Sequence, residues 1–264
     1  MTAHFVICHK APIWNIPFEH TQIGVEGYRP ESEGGLCASD FISHQLDSET
    51  ALGALRALPV IQHELEKGGG TTPVFVSSYR VFLTKELNYD WISPALQDFN
   101  IVSPEKFSAE GNTLVLREMP PDIDLVIPSP RLLPDTVMGQ YSRLPSHHLE
   151  DLLLGVSCAI RSGLLNGKLV PRLLSSNTFI AYNGIFASHA KLRLDYYERL
   201  WWAVEEFYKT HYRPRFGYER RVIDFVFERV TSMALIQMVV DQKLRCASSR
   251  VLLVSETGGY VNSV

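Results

Sequence analysis

Cysteine is scarce and scattered. Cys8, Cys37, Cys158 and Cys246 are the only four among 264 residues, and no two have Cys-x-x-Cys spacing. That argues against a thiolate zinc module and a disulfide framework, and it suits a reducing cytosol. No run of about 18 apolar residues occurs, so no membrane-spanning helix is expected. The apolar run within the opening MTAHFVICHK is too short for a signal peptide. Long basic runs are missing and the formal net charge is -4, which argues against bulk nucleic-acid binding. Gly24, Gly27, Gly34 and Gly35 match neither a dinucleotide fingerprint nor a P-loop. Gly-x-Ser-x-Gly is absent too, so a hydrolase built on His147 or His148 would lack its nucleophile motif.

At 45% hydrophobic and 20% charged, the chain has enough apolar material for a sizeable core. The expected organisation is one domain over 1–264: a first half at 1–130, a helical half at 131–245 and, at 246–264, a weak strand running into a tail. Residues 4–8 read as the first core strand, with His9 and Lys10 directly after it and prolines beyond. Lys10 there either meets a phosphate as a point charge or is a solvated strand-end lysine. A helix is expected over 47–66, with Asp47 or Ser48 as N-cap and an interruption at Pro59. Val74–Val76 and Val81–Leu83 read as strand on either side of Ser77-Ser78-Tyr79-Arg80. An arginine between two apolar triplets is costly to bury, so Arg80 either emerges at a strand end or meets an anion. Further expectations are a short helix at 91–98, strands at 100–102 and 113–117, and helices at 148–163, 190–209 and 221–243.

The most informative stretch is 122–151. Leu125, Val126 and Ile127 form a buried strand that Pro128 and Pro130 stop at once. Gln140, Tyr141, His147, His148 and Asp151 follow within a dozen residues. Hydrogen-bonding groups just past a strand end are the material of an α/β binding cleft, though a linker with a surface histidine pair has the same letters.

The order of these motifs resembles a family of bacterial glycosyltransferases of capsule, exopolysaccharide and O-antigen clusters. The likeness rests on VICHK at 6–10, Ile23-Gly24-Val25, SDFIS with Asp40, Ile42 and Ser43, and Glu49-Thr50-Ala51-Leu52. It continues with Tyr79-Arg80 and Phe82, Ile123-Asp124-Leu125-Val126-Ile127-Pro128, Gln140-Tyr141, His147-His148 and Asp151-Leu152. It ends with Tyr182-Asn183 and the Arg221–Val230 helix that carries Glu228 and Arg229. Departures are Phe41, Ser78 and Val81, where the family has Asn, His and Arg.

The resemblance implies an α/β, GT-A-like (Rossmann-like) core with a helical C-terminal part, and transfer from a nucleotide sugar, a UDP-sugar first, to a growing cell-surface glycan or lipid-linked acceptor. It implies donor contacts from His9, Lys10, Asp40, Ser43, Tyr79 and Arg80, and acceptor contacts from Gln140, Tyr141, His147, Tyr182 and Asn183. The acceptor hydroxyl needs a general base, expected in Asp151 or His148 with Asp124 nearby. Glu228 and Arg229 are expected to brace the cleft wall. The departing diphosphate must be stabilised by cations, helix N-termini or a divalent metal, manganese or magnesium. Asp122-Ile-Asp124 has the letters of a metal motif but precedes its strand's apolar run. A non-catalytic nucleotide- or sugar-binding protein on the same fold is the alternative left by the missing His and Arg. The expected place is the cytoplasm, with peripheral contact at the inner face of the membrane.

Overall fold

The computed structural model describes residues 2–43, 50–68, 70–91, 99–182, 184–242 and 244–256. It is a mixed α/β fold. Four parallel strands stand side by side in the order β3 (Leu36–Cys37), β2 (Thr21–Gly24), β1 (Ala3–Cys8) and β4 (Pro73–Ser78). β5 (Val81–Asn88) returns from β4 through a two-residue turn, Tyr79-Arg80. Arg80 is therefore an exposed turn residue, emerging at the strand end, and carries no burial cost. β6 (Phe99–Val102) matches the expected small strand.

Two elements depart from the sequence-based expectation. Residues 104–114, expected in part as strand, are helix α2 (Pro104–Leu114), with α1 being Leu58–Gly68. Ser103 caps α2 by accepting from the Lys106 amide at 3.3 Å, and Pro104 occupies a first-turn position that needs no N–H. The segment expected as a helix from 47 begins, among the described residues, as 3-10 turns over Thr50–Ala57; Asp47 and Ser48 lie outside the described residues. The α-helix starts only at Leu58, so Pro59 sits in its first turn rather than breaking it. The helix expected at 91–98 lies almost wholly outside the described residues.

After β7 (Leu125–Pro128) and the two-residue β8 (Arg131–Leu132) come α3 (Val137–Arg143), α4 (Leu149–Arg161) and α5 (Val170–Leu174). β9 (Thr178–Phe179), β10 (Ala187–His189), α6 (Ala190–Thr210), α7 (Val222–Gln242) and β11 (Cys246–Val254) complete the order. The start of the expected tail is thus the longest strand. β11 pairs with β5 along one edge and with β7 and then β6 along the other, and only Arg250 within it is exposed.

β10 runs antiparallel between β4 and β7. With β11 and β5 these strands pair in a closed ring, β5 rejoining β4 at Ser78–Val81. Alternation along each strand explains the core. Phe75, Leu83, Val126, Ala187 and Ala247, one from each ring strand, pack together inside. Their neighbours Val74, Val76, Leu125 and Ile127 face outward and join Phe5 and Ile23 beneath α1, α4, α6 and α7. That cluster draws on both expected halves of the chain. Arg193, fully buried on α6, ties helix to ring: it donates to Tyr197 Oη at 2.8 Å and to the carbonyl oxygens of Val74 and Phe186. No helix among the described residues is long and apolar enough to cross a membrane.

Candidate functional site

β2 and β3 lie on one side of β1 and β4 on the other, so the winding direction reverses between β1 and β4. In open α/β sheets ligands bind outside the carboxyl ends of the strands at such a reversal. His9 and Lys10 leave β1 at this point, and Tyr79 and Arg80 leave β4. Tyr79 Oη and His9 Nε2 share a hydrogen bond of 3.2 Å across the reversal, with the rings edge-on at 4.9 Å. Tyr79 itself is buried against Trp14, and Arg80 lies 5.2 Å above the Tyr79 ring. Partial burial pulls the His9 pKa below its usual value; Glu26 opposes this, and Arg80, Lys10 and Arg221 add to it.

Glu26 and Arg221 are two residues that the sequence did not single out for the site. Glu26 adopts the left-handed region (φ 58), followed by Gly27 (φ 79), and this turn off β2 carries its carboxylate toward His9. Arg221 stands just before α7 and is ion-paired with Asp224 in the first turn of that helix. Asp224 is a third. Its side chain is only 24% exposed. Burial pushes its pKa up to about 6; Arg221 pulls it down, and Glu228, one turn on, pushes it up again. Gly53 seals the other side, because a Cβ there would stand 3.0 Å from the Asp224 carboxyl carbon, and its φ of 49 is also one that side chains rarely adopt. The signal available in the sequence was a carboxylate within the apolar run Val222–Phe227.

Of the five residues singled out at 140–151, Tyr141 and Asp151 are buried, Gln140 and His147 partly buried, and His148 alone exposed. Tyr141 is fully buried, and its hydroxyl has no hydrogen-bond partner among the described residues; burial raises its pKa well above the usual value. It cannot stack on a sugar as expected. His147 is wedged between the Tyr141 ring at 4.6 Å and the Phe225 ring at 4.5 Å, and burial lowers its pKa to about 4. Gln140 accepts from Arg229 at 2.9 Å. Arg229 is buried, pairs with Glu228 and lies 5.0 Å over Phe179. Asp151, expected as base, has both oxygens taken by Arg215 at 2.7 and 2.9 Å. His148 is exposed, 3.8 Å from Glu219.

Asp124 is separated from these residues altogether. It precedes β7, at the amino ends of the parallel strands, where the Arg245 backbone and guanidinium bind it at 2.9 and 3.0 Å. Those bonds hold its carboxyl below the usual range. Asp122 also faces Arg245, at 3.5 Å, so this pair stands away from the reversal point. Asp40 forms an exposed two-bond pair with Arg29, at 3.2 and 2.9 Å. Ser43 is exposed. Tyr182 (φ 54) lies under the Arg131 guanidinium at 5.4 Å, and Asn183 falls outside the described residues. Among the described residues no three or more His, Cys, Asp or Glu side chains converge as a metal site would require.

The ends of β1, β2 and β4 and the start of α7 therefore assemble three cations, Lys10, Arg80 and Arg221, beside the carboxylates of Glu26 and Asp224. Such a set can hold a polyphosphate and exchange a proton near neutral pH. No family model matches the chain, and no curated protein sequence matches it. Its fold is similar to that of a solved structure, the WbbM bifunctional glycosyltransferase in its apo form, with a TM-score of 0.75 at 14% identity over 96% of this chain. The matched region is 45% of that protein, so the chain spans less than half the length of its structural neighbour.

Proposed function

We propose that this chain is a glycosyltransferase domain with a GT-A-like core, moving a sugar from a nucleotide-sugar donor to a glycan or lipid-linked acceptor of the cell surface. The observation that carries this is the cationic cluster of Lys10, Arg80 and Arg221 at the strand-order reversal, on a fold shared with a bifunctional glycosyltransferase. In this proposal the three cations hold the donor diphosphate and stabilise the charge that grows on it as the glycosidic bond breaks. His9, fixed by Tyr79, borders the same space. Asp224 serves as general base for the acceptor hydroxyl, since it combines a near-neutral pKa with that position. Asp151 brings Arg215 and the 211–221 loop against α4 and acts as a positioning residue. A UDP-sugar is the first donor to try.

The test is a thermal-shift screen against nucleotide sugars, with and without manganese, followed by a donor-turnover assay. Ligand at a hundredfold excess over Kd stabilises by about 2.7 kcal/mol, a rise on the order of 5 °C. Arg80→Ala should abolish that rise while leaving the melting temperature of the free protein unchanged. No rise and no turnover with any nucleotide sugar would overturn the proposal. A rise without turnover would favour the non-catalytic binding protein.

A further inference from the structure

The segment joining α6 to α7, residues 211–221, reads HYRPRFGYERR. At its tip Phe216 is 95% exposed, the largest exposure among the big apolar side chains described, and Tyr218 is 40% exposed. A phenylalanine held fully in water forgoes its burial free energy, and this one does so beside a second exposed aromatic and two exposed arginines, Arg213 and Arg220. The tip is mounted rather than loose. Arg215 is clamped by Asp151 at 2.7 and 2.9 Å on one side of Phe216, and Arg221 is paired with Asp224 on the other. Gly217, at φ 58, turns the chain directly after Phe216. Arg213 and Arg220 flank the tip, both exposed, and neither is paired with a carboxylate among the described residues. The nearest acidic group on the loop, Glu219, faces His148.

An exposed aromatic between two exposed arginines that pair with no carboxylate among the described residues, on a chain whose net charge is -4, is a local feature and not a consequence of overall charge. Its apolar tip and cationic rim complement the acyl boundary and the headgroups of an anionic bilayer. We propose that the 211–221 loop is a membrane-contact surface that inserts Phe216 into the interface of an anionic lipid bilayer, with Arg213 and Arg220 on the headgroups. The contact does not depend on any catalytic role. Arg221, at the end of the loop, lies close enough to His9 and Glu26 for their charges to interact, so the contact would bring the lipid surface near the strand-end cluster.

Co-sedimentation of the full chain with phosphatidylglycerol–phosphatidylethanolamine vesicles tests this. Binding should be salt-sensitive and absent on phosphatidylcholine vesicles. Phe216→Ser should weaken it about tenfold, from loss of the inserted ring. Arg213→Gln and Arg220→Gln should weaken it roughly fivefold each. Phe216→Trp should bind at least as well as the parent, which separates loss of contact from loss of folding. Failure to sediment with anionic vesicles, equal binding to neutral vesicles, or a Phe216→Ser variant that binds like the parent would each overturn the proposal. So would capture by a soluble acidic polymer as strong as by vesicles, which would make the partner an acidic macromolecule.

Discussion

Replacing Asp224 with asparagine should raise stability and remove activity together. The carboxyl's pKa is lifted from 3.8 to about 6, mainly by burial. A raised folded pKa means that the fold binds this proton more tightly than the unfolded chain does. The group therefore favours the fold in acid and becomes a cost as pH rises from 3.8 through about 6. Each pKa unit corresponds to about 1.4 kcal/mol, so the full cost at pH 7.5 has a ceiling of about 3 kcal/mol. With 24% of the side chain exposed, solvent screening brings the expectation down to about 1–2 kcal/mol. Asparagine removes the charge and keeps the shape against Gly53. For a domain of this size the melting temperature should rise by roughly 2–6 °C at pH 7.5. The gain should shrink steadily toward pH 4, where the parent is itself protonated. Transfer should fall by about a hundredfold or more if Asp224 is the base. Paired melting curves at pH 7.5 and pH 4, with a turnover assay, decide it. A variant less stable than the parent at pH 7.5 would mean that the Arg221 pair outweighs burial, and the stability argument would fail. Unimpaired transfer would remove Asp224 from the chemistry.

Two other substitutions separate structural from catalytic roles. Asp151→Asn gives up the two-bond clamp on Arg215, so urea melts should show a loss of about 1.5–3 kcal/mol, with activity falling only in proportion to the unfolded fraction; a fully stable but inactive variant would return Asp151 to the chemistry. Tyr141→Phe deletes a buried hydroxyl that has no hydrogen-bond partner among the described residues, so it should leave stability unchanged or raise it by up to about 1 kcal/mol, whereas a clear loss would reveal a bond through a bound water.

Long-period apolar patterns were legible in the sequence. The helices expected at 148–163, 190–209 and 221–243 appear as Leu149–Arg161, Ala190–Thr210 and Val222–Gln242. Helix Pro104–Leu114 was not, because it buries only Phe107 and Gly111 and so has almost no apolar stripe to detect; its Ser-Pro-Glu start was the available signal. The last strand reads in the sequence only as a weak one running into a tail, because both its faces are buried, which erases the alternation that marks a half-exposed strand. For the site, polar residues directly after an apolar strand lead to one place in the fold: His9, Lys10, Tyr79 and Arg80 lie near one another at the strand-order reversal. The same reasoning failed at 140–151. Clustering in sequence says nothing about which way a side chain faces, and the groups that draw these residues inward, Arg215 and Arg229, lie 64 and 89 positions away from their partners.

The closed ring of strands also bears on how the chain acquires its shape. β11 supplies the partner edges for β5, β6 and β7, so the ring cannot close before residue 254 has been made. Until then β5 and β7 each present an unpaired edge, and the pairing that satisfies β5 spans more than half the chain. Contacts so distant in sequence are slow to form, and open edges invite pairing with a second chain. Assembly of this protein should therefore be limited by late docking of one strand, and conditions that prolong that interval, such as rapid synthesis at high concentration, should favour aggregates over folded protein.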